Sequence, residues 1–363
     1  MSNALARDYR IDAETIRRTS AAGLGDAEWY KSPIPRKQLK ELMQRRDGPA
    51  IRDTILWFAL LIGSGVGGFL TFGTWWAVPC FFVYGVLYGG STDSRWHECG
   101  HRTAFKTTWM NDWLYALASF MVFREPTLWR WSHTRHHTDT IIVGRDPEIG
   151  AMRPPDIAGM LLNVFALKST WVSLQGVLRH AAGRVNETEA TFLPESERPK
   201  VYRTARIWLA IYAATIALAI GTGSLLPLLY VGLPTLYGGW FVIFVGLTQH
   251  AGLAEDVLDH RLNARTVYMN PVIRFLYWNM NYHVEHHMFP MVPFYSLPKL
   301  HEAMKADCPP PYPSILAAYR EIIPTLIRQL KDPTYFVVRP LPAGAKPFSA
   351  YAPFAEEGSM VKT

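Results

Sequence analysis

"TILWFALLIGSGVGGFLTF" (54–72) runs directly into "GTWWAVPCFFVYGVLYGG" (73–90), and no lysine or arginine occurs from Asp53 through Ser94. A bilayer core about 30 Å thick takes roughly 20 apolar residues as a helix. Lipid also forces every backbone polar group to find its partner inside the segment. The pair therefore predicts two membrane helices joined by a Gly-containing turn. The pattern returns once: "IWLAIYAATIALAIGTG" (207–223) precedes "LLPLLYVGLPTLYGGWFVIFVGLTQ" (225–249), in a window without Lys or Arg from Ile207 through His260. The expected fold is all-α and integral to a membrane, with four transmembrane helices in two hairpins.

The flanks orient these spans. Segment 1–52 carries eleven Lys and Arg, segment 95–206 carries fifteen, and the tight connections near 72 and 223 carry none. Positive loops stay on the cytoplasmic side. Both termini and the middle segment are thus expected in the cytoplasm, forming a helical cap on the inner face of a bacterial inner membrane. The expected divisions are a cytoplasmic N-terminal segment (1–52), a membrane domain (53–310), and a C-terminal cytoplasmic helix with a Pro-rich tail (311–363). The tail beyond Pro333, rich in proline and small residues, is expected to be extended or loosely ordered.

Two further segments are apolar without reading as spans. "WLYALASFMVF" (113–123) is too short to cross and is expected at the interface. "GMLLNVFALKSTWVSLQGVL" (159–178) includes Lys168 and reads as an amphipathic helix on the cytoplasmic surface. No signal-peptide pattern opens the chain. The net charge of +7 is confined to the flanks, which argues against nucleic-acid binding. Cys80, Cys99 and Cys308 form no C-x-x-C pair, which argues against a disulfide framework and against cysteine-held zinc or iron–sulfur sites.

Eight of the twelve histidines fall in three clusters: "WHECGH" (96–101), "SHTRHH" (132–137) and "YHVEHH" (282–287). Under the expected topology all three meet at one membrane face, as does His250 at the end of the fourth span. On a helix, residues four apart share a face. His97 with His101, His133 with His137, and His283 with His287 are such pairs. His136 and His286 sit one position short, rotated by roughly 100°, so each cluster can serve two ions. Imidazole suits iron, zinc, copper and nickel. Eight or nine imidazoles exceed the needs of one ion, and an open binuclear site points to iron and oxygen chemistry. The candidate ligands are His97, His101, His133, His136, His137, His250, His283, His286 and His287. His180, His260 and His301 have no partner at ligand spacing and read as ordinary buried or surface histidines. Glu98, Glu285, Asp139 and Asp146 are candidates to orient imidazole N–H groups. No catalytic residue beyond the ligands is readable.

These boxes resemble those of the integral-membrane fatty acid desaturase and hydroxylase superfamily. "HECGH" is similar to its first box, "HTRHH" to its second and "HVEHH" to its third; "GRDPE" and "NYHVEHHMFPMVPFYSLPKLH" add to the likeness, which covers roughly 55–310. The resemblance implies four membrane helices under a cytoplasmic cap and a non-haem centre of two irons held by the nine histidines. It implies O2 as co-substrate, two electrons from outside, and removal of hydrogen from an unactivated C–H bond. The chain departs from the pattern at Glu98, where many acyl-lipid desaturases have Asp. "TQHAGL" is closer to hydroxylases.

Neither a His-Pro-Gly-Gly motif nor a ferredoxin cysteine set is present, so a ferredoxin or Rieske-type donor with its reductase is the expected partner. The first expected function is acyl-lipid desaturation. The alternative is hydroxylation or oxidative demethylation of a smaller substrate, as in alkane-hydroxylase-like monooxygenases. A long apolar tunnel would favour the first, a short pocket with polar groups the second. A metal transporter would place ionisable residues within the spans, and the two apolar windows lack them.

Overall fold

The computed structural model describes residues 7–25 and 27–345, and among them it is all helical, with two isolated β-bridges and no strand. The first apolar stretch lies in the Asp47–Leu70 helix. Ala50, Asp53, Trp57, Leu61, Gly65 and Gly68 are buried at three- and four-residue spacing, while Ile55, Ile62, Phe69 and Leu70 on the other faces are exposed. A helix apolar all round, with no protein on half of it, is suited to lipid. At the turn, Trp75 and Trp76 are 90% and 73% exposed, the placement of aromatic residues at a membrane interface.

The chain returns through Ala77–Gly85, a π-helical turn Val86–Gly90, and Thr92–Gly100. Ser91 N–H donates to Val86 O at 2.7 Å, five residues back. Such a bulge inserts one residue and re-aims everything that follows, and His97 and His101 follow it.

The second half differs from expectation. Arg198–Thr222 is one long helix ended by Gly223 at φ +60°. Residues 225–249 are instead three short helices, Leu226–Tyr230, Leu233–Gly238 and Trp240–His250. Pro227 and Pro234 remove backbone donors, and Gly232 sits at φ +92°, where a side chain would be strained. The broken segment crosses the first hairpin closely: a Cβ on Gly238 would lie 1.7 Å from Gly85 O. By length and composition two helical stretches can cross a membrane, Arg36–Leu70 and Glu195–Thr222. A third does if the bent pair Ile157–Asn163 and Leu167–Ala181 is one span. That pair is the expected amphipathic helix, bent by 83° at Ala166, whose φ is +51°. Its Leu161, Phe165, Trp171 and Val172 are exposed.

Residues 113–123 fall mostly in the Thr108–Met121 helix, with Trp109 and Trp113 exposed and Leu114, Tyr115 and Ala118 buried. The C-terminal helix is Ile315–Gln329, with irregular chain beyond it. The last part of the expected tail, 346–363, lies outside the described residues.

One continuous core runs through Trp57, Trp96, Tyr115, Trp278 and Phe294 and joins the apolar helices to the histidine-bearing ones. The N-terminal segment is stitched over it. Arg7 pairs with Glu255 and Asp256 at 2.8 and 2.9 Å, and Tyr30 N–H donates to Leu258 O.

Candidate metal centre

Four elements supply the nine imidazoles. His97 lies in Thr92–Gly100, and His101 caps its end. His133, His136 and His137 lie in Pro126–Thr138, a helix started by Pro126 and capped by Glu125, whose carboxylate accepts from Leu128 N–H at 2.7 Å. His250 is the last residue of Trp240–His250. His283, His286 and His287 lie in the buried helix His283–Met288.

The rings gather in two groups. Nitrogens of His97, His101, His133, His137 and His286 all lie within 4.8 Å of one another, as do those of His136, His250 and His287. His283 joins the second group, its Nε2 being 2.9 Å from His250 Nε2 and 3.0 Å from His287 Nε2. Helical phase sorts them. His133 and His137 face one group and His136 the other, while His283 and His287 face the second and His286 the first.

Four of the outer ring nitrogens are held from behind. His133 Nδ1 meets Glu148 Oε2 at 2.9 Å, and Ser132 Oγ donates to the other Glu148 oxygen at 2.8 Å. His136 Nδ1 meets Asp146 Oδ2 at 2.8 Å, and the same oxygen accepts from Ile141 N–H at 2.7 Å. His250 Nδ1 donates to Asn263 O at 2.6 Å, and His287 Nδ1 meets Thr140 Oγ1 at 3.2 Å. Fixing Nδ1 leaves the Nε2 lone pair aimed inward.

Of the four carboxylates singled out in the sequence, Asp146 alone makes such a hydrogen bond. Glu98 Oε1 is 3.7 Å from His286 Nδ1, too long for one; its other oxygen accepts from Phe294 N–H and Thr103. Glu285 bonds His301 and Thr266. Asp139 pairs with Arg135 and Arg145. Glu148, Thr140 and Asn263 were not singled out. Glu148 stands fifteen residues from His133, so only the "GRDPE" turn that folds back could have pointed to it.

His180 bonds Glu189 at 3.1 Å, and His301 bridges Tyr268 and Glu285. His260 packs against His287 with ring centroids 5.2 Å apart.

Burial, and then the neighbouring imidazoles, push His97, His101, His137, His283, His286 and His287 well below the ordinary imidazole value. Burial does the same to His250. Burial would also lower His136, but the Asp146 carboxylate outweighs it and holds that ring above its usual value. Burial likewise opposes the charge on Glu148, yet His133 and Ser132 bring its pKa to about 2. The centre is thus imidazole donors, most of them held neutral by burial, with carboxylates behind His133 and His136, a donor set for divalent transition metals. Converging Nε2 atoms, with Nδ1 of His133, His136, His250 and His287 tied back, fit one metal ion in each group.

A cavity of about 250 Å³ reaches this centre at His250 and Glu148. Val242, Ile243 and Leu247 form an apolar wall, while Arg124, Arg153 and Glu255 give polar ones. Arg153 is buried, and among the described residues its Nη1 has no hydrogen-bond partner.

The family model described as fatty acid desaturase matches residues 73–319. The sphingolipid delta(4)-desaturase/C4-monooxygenase of Mus musculus is 25% identical over 298 residues, covering 77% of this chain and 84% of that protein. The dihydrorhizobitoxine desaturase of Bradyrhizobium elkanii is 26% identical over 289 residues, covering 71% and 78%. The chloroplastic sn-2 acyl-lipid omega-3 desaturase (ferredoxin) of Arabidopsis thaliana is 22% identical over 275 residues, covering 70% and 60%. The match takes in every one of the nine converging histidines, and with it the chain belongs to the fatty acid desaturase family of oxidoreductases.

Proposed function

We propose that the protein is an O2-dependent membrane oxidoreductase in which the nine histidines hold two non-haem irons. On this reading four membrane segments carry the site on the cytoplasmic face. The observation that carries it is the sorting of nine buried imidazoles into two groups. Two bound irons would activate O2 for hydrogen removal from an unactivated C–H bond. In hydroxylation one oxygen atom enters the C–H bond and the other leaves as water, with two protons and two electrons supplied from outside. A ferredoxin or Rieske-type protein is the proposed source of those electrons.

The chain's own residues do the positioning. Glu148 and Asp146 lock the rings of His133 and His136, and Asn263 and Thr140 lock those of His250 and His287. The apolar Val242–Leu247 wall excludes water from one side of the substrate. Arg153 Nη1 offers a donor to a polar group on it.

The cavity favours the smaller-substrate reading. Its volume of about 250 Å³ is below the usual ligand-pocket range of roughly 300–1,000 Å³. A long acyl chain against its polar wall would leave Arg153 Nη1 buried without a partner. A short molecule with a polar group, hydroxylated or oxidatively demethylated, fits better than a long acyl chain. Acyl-lipid desaturation is the alternative raised by the relatives.

Mass spectrometry of lipids and polar metabolites from cells with and without the protein tests this. Oxygenated or demethylated polar products with unchanged acyl unsaturation are expected. New acyl double bonds would establish the desaturase reading instead.

A further inference from the structure

Any such reaction needs electrons delivered one at a time to a buried centre. Tunnelling weakens exponentially with the gap crossed, so a path through touching conjugated rings is preferred over one through saturated side chains. The N-terminal segment, outside the family match, provides such a path. The indole of Trp29 is partly exposed at the surface of the cap. It stacks on the buried ring of His260, with centroids 4.3 Å apart and planes 6° from parallel. His260 in turn lies 5.2 Å from His287, centroid to centroid. Trp29 Nε1 donates to Thr138 O at 3.0 Å, which fixes the indole against the end of the helix that carries His133, His136 and His137.

We infer that Trp29 and His260 form the electron entry, carrying electrons from a docked one-electron carrier protein to His287 and the metal it holds. The inference rests on the dimetal reading above. Each transfer oxidises one carrier and reduces one ferric ion to ferrous, so two carriers serve one turnover. This use of His260 does not make it a ligand: its ring packs on His287 and belongs to neither group of converging nitrogens. The rival path, Trp129–Trp96–His133, has wider spacings of 5.8 and 5.5 Å. A third chain, Tyr268–His301, passes from His301 to the Glu285 carboxylate, which conducts poorly.

The test compares the iron-loaded wild type with Trp29→Leu, Trp29→Phe and Trp129→Leu. Anaerobic stopped-flow measures reduction by a reduced 2Fe–2S ferredoxin and, separately, by dithionite; iron content is measured on every sample. Trp29→Leu is expected to keep its iron and its dithionite rate. Its reduction by ferredoxin is expected to slow about tenfold or more, equal to ~1.4 kcal/mol of barrier. Trp29→Phe should recover most of that loss. An unchanged ferredoxin rate in Trp29→Leu, a loss of iron, an equal slowing with dithionite, or slowing in Trp129→Leu alone would overturn the inference. A wild type that binds no iron would instead defeat the dimetal reading itself.

Discussion

His286 Nε2 lies 3.2 Å from His137 Nε2, across 149 positions of chain, while the ring of His287, the next residue, turns to the other group. A helix advances about 100° per residue, so one short buried turn divides its imidazoles between two sites. The Pro126–Thr138 helix repeats the device with His136 and His137. Each of these two helices thereby ties the two proposed metal positions to one rigid backbone.

Removing one ring from either group should therefore be felt in metal content. His286→Ala and His136→Ala are expected to lose bound iron and nearly all turnover while still inserting in membranes. His301→Ala is expected to retain its iron, because that ring bonds Tyr268 and Glu285 rather than either group. Elemental analysis of the three purified variants checks this, and full turnover in His286→Ala would contradict it.

The carboxylates behind the rings should matter nearly as much. Asp146→Asn replaces the anion that fixes His136 Nδ1 and also disturbs the acceptor of Ile141 N–H. Losing an outer partner of this kind typically costs about 10–100-fold in metal affinity or activity. Glu98→Gln should cost less, since its carboxylate stands 3.7 Å from His286. Competitive chelator titrations of iron from the two variants measure the difference.

The lowered imidazole pKa values set a pH dependence for the metal-free protein. A folded-state pKa well below the unfolded value of about 6.5 means that the unfolded chain binds more protons in acid. Stability therefore rises with pH through that region and is lost as pH falls below about 6.5. Thermal unfolding of metal-free protein from about pH 8 to about pH 5 should show a falling midpoint. Iron should flatten the curve down to the pH at which protons displace it, and a metal-free midpoint that rises in acid would contradict the assignment.

The crossing of the broken segment over the first hairpin can be probed without touching the metals. Gly238→Ala places a methyl group where Gly85 O already sits. Overpacking of this kind typically costs about 1–3 kcal/mol. A lowered thermal midpoint in detergent is expected, with a smaller effect from Gly246→Ala, whose Cβ would meet open space.

Much of this organisation was legible in the sequence because apolar length and histidine spacing are local signals. The helices Asp47–Leu70 and Arg198–Thr222 coincide with two of the four apolar stretches, and the nine histidines are those that gather. The breaks in 225–249 were written in Pro227, Gly232 and Pro234, but apolar length masked them. The π turn at Val86–Gly90 has no comparable signature, because it depends on how the 77–100 segment meets the broken one. Glu148 and Asn263 escaped because folded-back turns fifteen and thirteen residues long bring them to His133 and His250, and Thr140 because its partner His287 lies 147 positions away. Trp29 escaped for the same reason, since its stacking partner His260 is far along the chain.

The most direct test is metal analysis joined to X-ray absorption on purified protein that turns over with an external donor. The account predicts two irons per chain in an environment dominated by imidazole nitrogen. A fully active preparation with no iron, a single iron, or sulfur among the ligands would contradict it.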